Sequence, residues 1–439
     1  MMEYDIGFVG TGADPDDPDQ DGFAMAYRHA GGYRRLDDCN IAACADIVPK
    51  NAAAFADEFG IDDDNVYEDY EAMLREVDPD IISVCVPPDL HARIVMDCAR
   101  AGDLAAIHCE KPMATTWADC REMCRVCEEA GVKLTFNHQK RVGPVYRRAK
   151  ELVDAGKIGD LRRVEWSYDN LFDSGTHMFD LSAFYADQSP VEWVMAGLDY
   201  RDENRWFGVH NENQAIAQWR YENGVYGQAT TGRSSDALGA QVRLVGDEGT
   251  VEIDADGGPP LRIHNGRTLG WKTVEVGANI WGKRSYTTRM EFVRYASEEA
   301  RRRIPGLGAP PEYPSNIDRS IASVVAAVRE DRESPLTWRN AIESTEVIFA
   351  AWESTRRGAR IDLPLEIEGN PLAAMVENGE LPVSSGEDDP PPDREHEPEP
   401  EPGSPPDARE GAGTGEAGNG TGQSVEAGEG VGTESGVDM

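Results

Sequence analysis

The chain has 439 residues and a formal net charge of −38, from 81 acidic and 43 basic side chains. Such a surplus of carboxylates excludes a binder that tracks nucleic-acid phosphates and a module that docks on anionic lipid, since both need basic patches. No apolar run approaches the roughly 18 residues of a membrane span, and 40% apolar content supports a sizeable core.

Residues 1–137 alternate short apolar strands with amphipathic helices. The strands are YDIGFVG, NIAACAD, DIISVCVPP, LAAIHCEKP and VKLTFN, and helices are expected over Pro49–Phe59, His91–Ala101 and Trp117–Ala130. Apolar strands separated by helices predict a parallel sheet covered on both faces. Residues 138–365 read differently. Helices are expected over Val142–Ala155 and Thr176–Ala186, then strands with period-2 patterning such as QAIAQWRY, VYGQATT, QVRLVG and TVEID. Two longer helices follow, Ile317–Arg329 and Asn340–Arg357. The fold class is therefore α/β, a Rossmann-type first domain with a second α+β domain built on an open, mostly antiparallel sheet. From Gly379 to Met439 the chain holds 13 Gly and 9 Pro in 61 residues and no aromatic side chain. That composition predicts a disordered acidic tail.

Lysine is scarce, 8 residues against 35 arginines. With so many carboxylates this is the composition of a halophilic cytoplasmic protein, whose mutual repulsion concentrated salt screens. The start, MMEYDIGFVG, has neither the basic nor the apolar region of a secretory signal. All eight cysteines lie before residue 128, so free buried thiols are expected rather than disulfides. Cys120, Cys124 and Cys127 share the C-x3-C-x2-C spacing of some iron–sulfur ligands. The i, i+4, i+7 positions of a helix face explain it better, because a cluster needs a loop that wraps it. No metal is expected.

Gly10-Thr11-Gly12 closes the first strand and Gly22 opens the next helix. This is a dinucleotide turn with a stretched middle; the glycines let the backbone approach a pyrophosphate at a helix N-terminus. The inserted Asp17-x-Asp19-x-Asp21-Gly22 starts like a calcium loop, but Arg28 stands where the bidentate glutamate belongs. The role of the insert Ala13–Asp21 stays unassigned. Asp46 ends the second strand, where an acid hydrogen-bonds a ribose. Glu110-Lys111-Pro112 ends another strand, and such a lysine suits polarising a substrate hydroxyl. In Asp173-Ser-Gly-Thr-His177-Met-Phe-Asp180 the spacing allows one helical face to present all three side chains. A histidine beside carboxylates is a plausible general base.

In this order the motifs resemble the glucose–fructose oxidoreductase, inositol dehydrogenase and MocA family (Gfo/Idh/MocA). The resemblance covers residues 4–365 and includes VPPDLHARI, with Pro87 and His91, KELVDAGKIGDLRRV, DSGTHMFDL and the closing STRRGARIDLPL. It implies NAD, with NADP possible, a sugar or polyol (cyclitol) oxidised at a hydroxyl carbon, and homo-oligomers formed through the C-terminal sheet. It implies catalytic roles for Lys111, Asp173 and His177. Cofactor contacts are expected from Gly10, Gly12, Gly22, Asp46, Pro87, His91, Glu110 and Lys111, and His91 fits a structural role at the helix start equally well. Asp46 favours NAD, since a 2′-phosphate would meet a carboxylate. Two other readings fit the same motifs: an NAD-dependent glycoside hydrolase with no net redox, and a non-catalytic dinucleotide-binding regulator, which would need none of the three catalytic side chains.

Overall fold

The computed structural model describes residues 3–12, 24–285, 293 and 313–381. Gly22, the aspartate-rich insert and segment 382–439 lie outside the described residues. The chain divides into two units, Met1–Glu387 and Asp388–Met439, and only the first is described below.

The first sheet has six strands: β1 (Tyr4–Val9), β2 (Cys39–Ala45), β3 (Val66–Tyr67), β4 (Ile81–Val84), β5 (Ala106–Cys109) and β6 (Lys133–Phe136). All pairs are parallel, in the order β3-β2-β1-β4-β5-β6. The order reverses between β1 and β4, which opens a ligand crevice at the strands' carboxyl ends. The crossover helices start where the sequence provides caps. Thr116 accepts from the Asp119 N–H ahead of Trp117–Ala130, and Pro88 supplies the first turn of Pro88–Arg100. On the helix Trp117–Ala130 Cys120, Cys124 and Cys127 are buried in the core as one stripe.

The second sheet has nine strands: β7 (Leu161–Tyr168), β8 (Val191–Asp199), β11 (Gln214–Tyr221), β12 (Tyr226–Thr231), β13 (Ala240–Gly246), β14 (Gly249–Ala255), β15 (Leu261–Asn265), β16 (Lys272–Thr273) and β17 (Ile361–Asp362). A small hairpin, β9 (Arg205–Trp206) with β10 (Val209–His210), stands apart. The nine-strand order is β16-β15-β14-β13-β7-β12-β11-β8-β17. Only β7 and β12 pair in parallel; the other pairs are antiparallel. One face packs on helices Thr176–Tyr185 and Trp338–Arg357, where Phe179 meets Trp166 and Trp219 with ring centroids 4.9 and 5.0 Å away. Among the described residues no helix covers the opposite face at β8, β11 and β12, so burial along β11 alternates residue by residue.

Helix Asn316–Arg329 comes from the far end of the chain but joins the first sheet's core. Ile321, Val324 and Val325 pack with Tyr33, Phe8 and Phe55. A Cβ on Gly32 would stand 2.9 Å from Ile321 Cγ1, so only glycine allows this close helix contact.

Candidate active site

The crevice begins at the glycine turn. Gly10 and Gly12 have φ of 81° and 75°, which other residues adopt only with strain. A Cβ at Gly10 would lie 2.7 Å from the Cys85 carbonyl oxygen, and one at Gly12 2.8 Å from Ala24 Cα. The turn is thus bare backbone pressed between β1, β4 and the helix Met25–Tyr33, as a dinucleotide pyrophosphate needs. Asp46 holds its shape. One carboxylate oxygen accepts from the Thr11 N–H at 2.8 Å and the Thr11 hydroxyl at 2.9 Å, and the other from the Val48 N–H at 2.9 Å. Asp46 is half-buried, and the oxygen facing Val48 keeps a lone pair for a ribose hydroxyl. These residues fit an NAD cofactor, and bare glycines with Asp46 would hold it.

Two expected cofactor contacts turn inward instead. His91 is fully buried, with Nδ1 2.7 Å from the Pro112 carbonyl and Nε2 2.8 Å from the Val86 carbonyl. It braces the ends of β4 and β5 against each other while Pro87 stays exposed at the crevice. Glu110 is 7% exposed, and its Oε1 accepts from His29 Nε2 at 2.8 Å and Asn137 Nδ2 at 2.6 Å. Burial alone would raise its pKa, yet these bonds and the charge of Lys111 bring it down to about 2. The network continues through Asn137 Oδ1 to the Ser320 hydroxyl at 2.8 Å. It also includes His108, bonded to Thr135 at 2.9 Å. Burial and the neighbouring His29 push His108 down to about 3.

Lys111, on the cofactor half, reaches across to the second half. Its Nζ donates to Asp173 Oδ1 at 2.9 Å and to the Asp173 carbonyl at 3.0 Å. His177 opens the helix Thr176–Tyr185 and is 6% exposed; its Nδ1 has no hydrogen-bond partner. Burial, then the charges of Lys111, His138 and Lys140, hold its pKa well below the usual histidine value. It is a neutral base beside two lysines.

The shared helical face expected for Asp173, His177 and Asp180 does not form. Asp173 lies in the turn before the helix, and no hydrogen bond joins it to His177. Asp180 is buried behind the site, where Arg141 Nη2 at 2.8 Å and Nε at 2.9 Å and His138 Nδ1 at 3.1 Å engage its carboxylate. The arginine's charge wins over burial and lowers its pKa. Asp180 therefore anchors the helix that carries His177.

Two further groups escaped the sequence reading. Glu212 is fully buried, and its Oε1 accepts from the Leu171 N–H at 2.6 Å and the Thr231 hydroxyl at 3.1 Å. Its neighbour Asn211 accepts from the Asp173 N–H at 3.3 Å. Together they hang the Asp173 turn from the start of β11. Burial pushes Glu212 up to about 7, against the lowering effect of the Leu171 N–H, the Thr231 hydroxyl and the nearby Trp352 indole. Lys140 is also buried and pushed down to about 7 by burial. The scarcity of lysine that singled out Lys111 was the signal available for it.

Residues 21–138 match the Gfo/Idh/MocA model described as an oxidoreductase family with NAD-binding Rossmann fold, and residues 170–363 match that family's C-terminal alpha/beta domain. A D-apiose dehydrogenase of Paraburkholderia graminis is 27% identical over 386 residues, 81% of this chain and 91% of that protein. The D-glucoside 3-dehydrogenase of Escherichia coli is 32% identical over 133 residues, only 30% of this chain and 37% of that protein. Among solved structures, a levoglucosan dehydrogenase in complex with NADH and levoglucosan shares the fold. Its TM-score is 0.63 at 18% identity, covering 83% of this chain and 100% of that one. The chain belongs to the Gfo/Idh/MocA oxidoreductases, as an NAD-binding Rossmann domain joined to that family's C-terminal α/β domain.

Proposed function

We propose that this oxidoreductase transfers hydride between a hydroxyl-bearing carbon of a sugar or cyclitol and NAD. The observation that carries the reading is the Lys111–Asp173 pair beside a neutral, buried His177. Lys111 donates to the substrate oxygen and stabilises its developing negative charge. Asp173 fixes the lysine's position. His177 accepts the hydroxyl proton through its Nε2 as the carbon–oxygen double bond forms. Bound NAD+ supplies the hydride acceptor. Relatives named as D-apiose, D-glucoside and inositol dehydrogenases support the substrate class.

Asp46 supports NAD over NADP, because its carboxylate repels a 2′-phosphate. A panel of sugars and polyols in molar KCl, followed by NADH and NADPH absorbance, tests the reading. Net NADH from at least one member is expected. NAD binding without net reduction across the panel would replace it with the hydrolase or the regulator.

The bare face of the second sheet supports a homo-oligomer. Met195, Ile216 and Tyr226 are 49%, 55% and 38% exposed there, an apolar patch suited to a second copy. Light scattering should give a multimer that Ile216→Lys dissociates; a monomeric wild type sinks the assignment. Eight unpaired cysteines, six of them buried, support a reducing cytoplasm. No helix of the described residues is long and apolar enough to cross a membrane.

A further inference from the structure

Lys140 is the charged group that the chemistry above leaves unused. Its side chain is 2% exposed. The Nζ lies 3.2 Å from the Tyr146 hydroxyl, 3.2 Å from Gln241 Oε1 and 3.5 Å from the Tyr168 hydroxyl. The rings of Tyr168, Trp281 and Tyr146 lie 4.8, 5.1 and 5.5 Å from it. Every one of these neighbours is neutral. Among the described residues no carboxylate forms an ion pair with Lys140, whereas Lys111 has Asp173.

A buried ammonium without a counter-charge costs several kcal/mol, and proteins rarely keep one without use. Lys140 follows His138 by two residues, and the His138 ring lies 5.7 Å from the His177 ring, so its charge stands near the reacting cluster. Tyr168 is half-buried and Trp281 is 50% exposed. Trp281 is held there by the start of helix Asn316–Arg329, where Asn316 bonds the Ile280 and Trp281 carbonyls. Asp169 is exposed and Asp254 is partly desolvated, and both act on Lys140 from beyond ion-pair distance, without direct contact.

Resting on the dehydrogenase reading, we propose that Lys140, Tyr168 and Trp281 form a specificity subsite for a substrate carboxylate, so that the substrate is a sugar acid, a uronate or an aldonate. The carboxylate accepts from the Lys140 ammonium and the Tyr168 hydroxyl and brings a negative charge into direct contact with the lysine. Trp281 covers the carbon chain beside it. The reacting hydroxyl then lies at the other end of the molecule, against Lys111 and His177.

Calorimetry on the NAD+-loaded protein in 1 M KCl tests this, with NADH formation followed in parallel. The probes are D-glucuronate, D-galacturonate and D-gluconate against D-glucose, D-galactose and D-sorbitol. At least one acid should bind roughly 10- to 150-fold more tightly than its neutral parent, the range of a charge-assisted hydrogen bond. Lys140→Met should collapse that ratio to within about 3-fold, with the loss falling on KM for the acid more than on kcat. Lys140→Arg should retain the preference. Should Lys140→Met fail to fold, Tyr168→Phe reads the same subsite and should weaken the acids selectively.

Equal affinity for acids and neutral parents overturns the subsite, as does a preference that survives in Lys140→Met. Absence of binding by all three acids overturns it as well. Lys140-dependent binding of an acid without NADH supports the subsite while refuting the dehydrogenase reading. NADH from neutral sugars with no acid preference has the opposite meaning.

Discussion

The two halves of the site treat buried polar groups in opposite ways. Behind the first sheet's strand ends, Glu110, His29, Asn137, Ser320 and His108 are all hydrogen-bonded, and Glu110 is lowered to about 2. In the second half, among the described residues, His177 Nδ1 has no hydrogen-bond partner, Lys140 bonds only neutral groups, and Glu212 is raised to about 7. Satisfied networks fix a shape. Buried groups left unsatisfied or displaced in pKa cost stability and cluster at sites of binding and catalysis. The first half is thus a rigid cradle, and the second is poised for chemistry.

The severest way to break this contrast is to remove the poised base. His177→Ala should lower kcat by roughly 10²–10⁴-fold with cofactor affinity nearly intact. Lys111→Ala should do comparable damage, and the double variant should lose less than the sum. Full activity of His177→Ala would move the proton elsewhere. The acid limb of wild-type kcat/KM should lie below pH 6.5, because His177 is held below its usual value.

Next in size comes the cradle. Glu110→Leu removes the carboxylate that accepts from both His29 Nε2 and Asn137 Nδ2 and should cost about 3 kcal/mol in denaturant unfolding at pH 7. No loss there would show that the network is not holding the strand ends.

Asp46→Ser acts on the same half. It removes the clamp on Thr11 and a ribose acceptor, so NAD affinity should fall roughly 10- to 150-fold, with NADP less discriminated against. Unchanged affinities for both would displace Asp46 from the cofactor site.

The smallest effect is the most diagnostic, because the two glutamates should oppose each other with pH. A folded pKa of about 2 for Glu110 means its stabilisation is present above its usual 4.5 and vanishes as pH falls through 2. Relative to Glu110→Gln, the wild type should lose its advantage over that acid window. Glu212, raised from 4.5 to about 7, binds an extra proton when folded. Relative to Glu212→Gln, the wild type should lose stability as pH climbs from 4.5 to 7. Parallel stability profiles for wild type and Glu212→Gln would remove the buried carboxyl from the argument.

The same contrast explains what the sequence revealed. Lys111 and the glycine turn are legible because their chemistry is local: a strand end, a proline, a positive φ. His177 was found by its motif, but its spacing to Asp173 and Asp180 suggested a shared helix face. Arg141, four residues after Asn137, captures Asp180 instead, a contact between distant elements that no periodicity encodes. Glu212 lies 39 positions from Asp173 in the chain and meets its turn only through the folded sheet. Lys140 sits in a short turn with no pattern around it. The bare sheet face, by contrast, was readable from alternation in QAIAQWRY.

The return of helix Asn316–Arg329 to the first core has a consequence for how this protein can be cut and recombined. A fragment ending at Asn137 would lack Ile321, Val324 and Val325 and would leave the groove at Gly32 open to water. It would also orphan Asn137 Oδ1, which accepts from the Ser320 hydroxyl. The cofactor half is therefore not a detachable cassette. Exchanging it between relatives requires carrying a helix encoded nearly two hundred residues downstream, and insertions or crossovers between these segments must preserve that embrace.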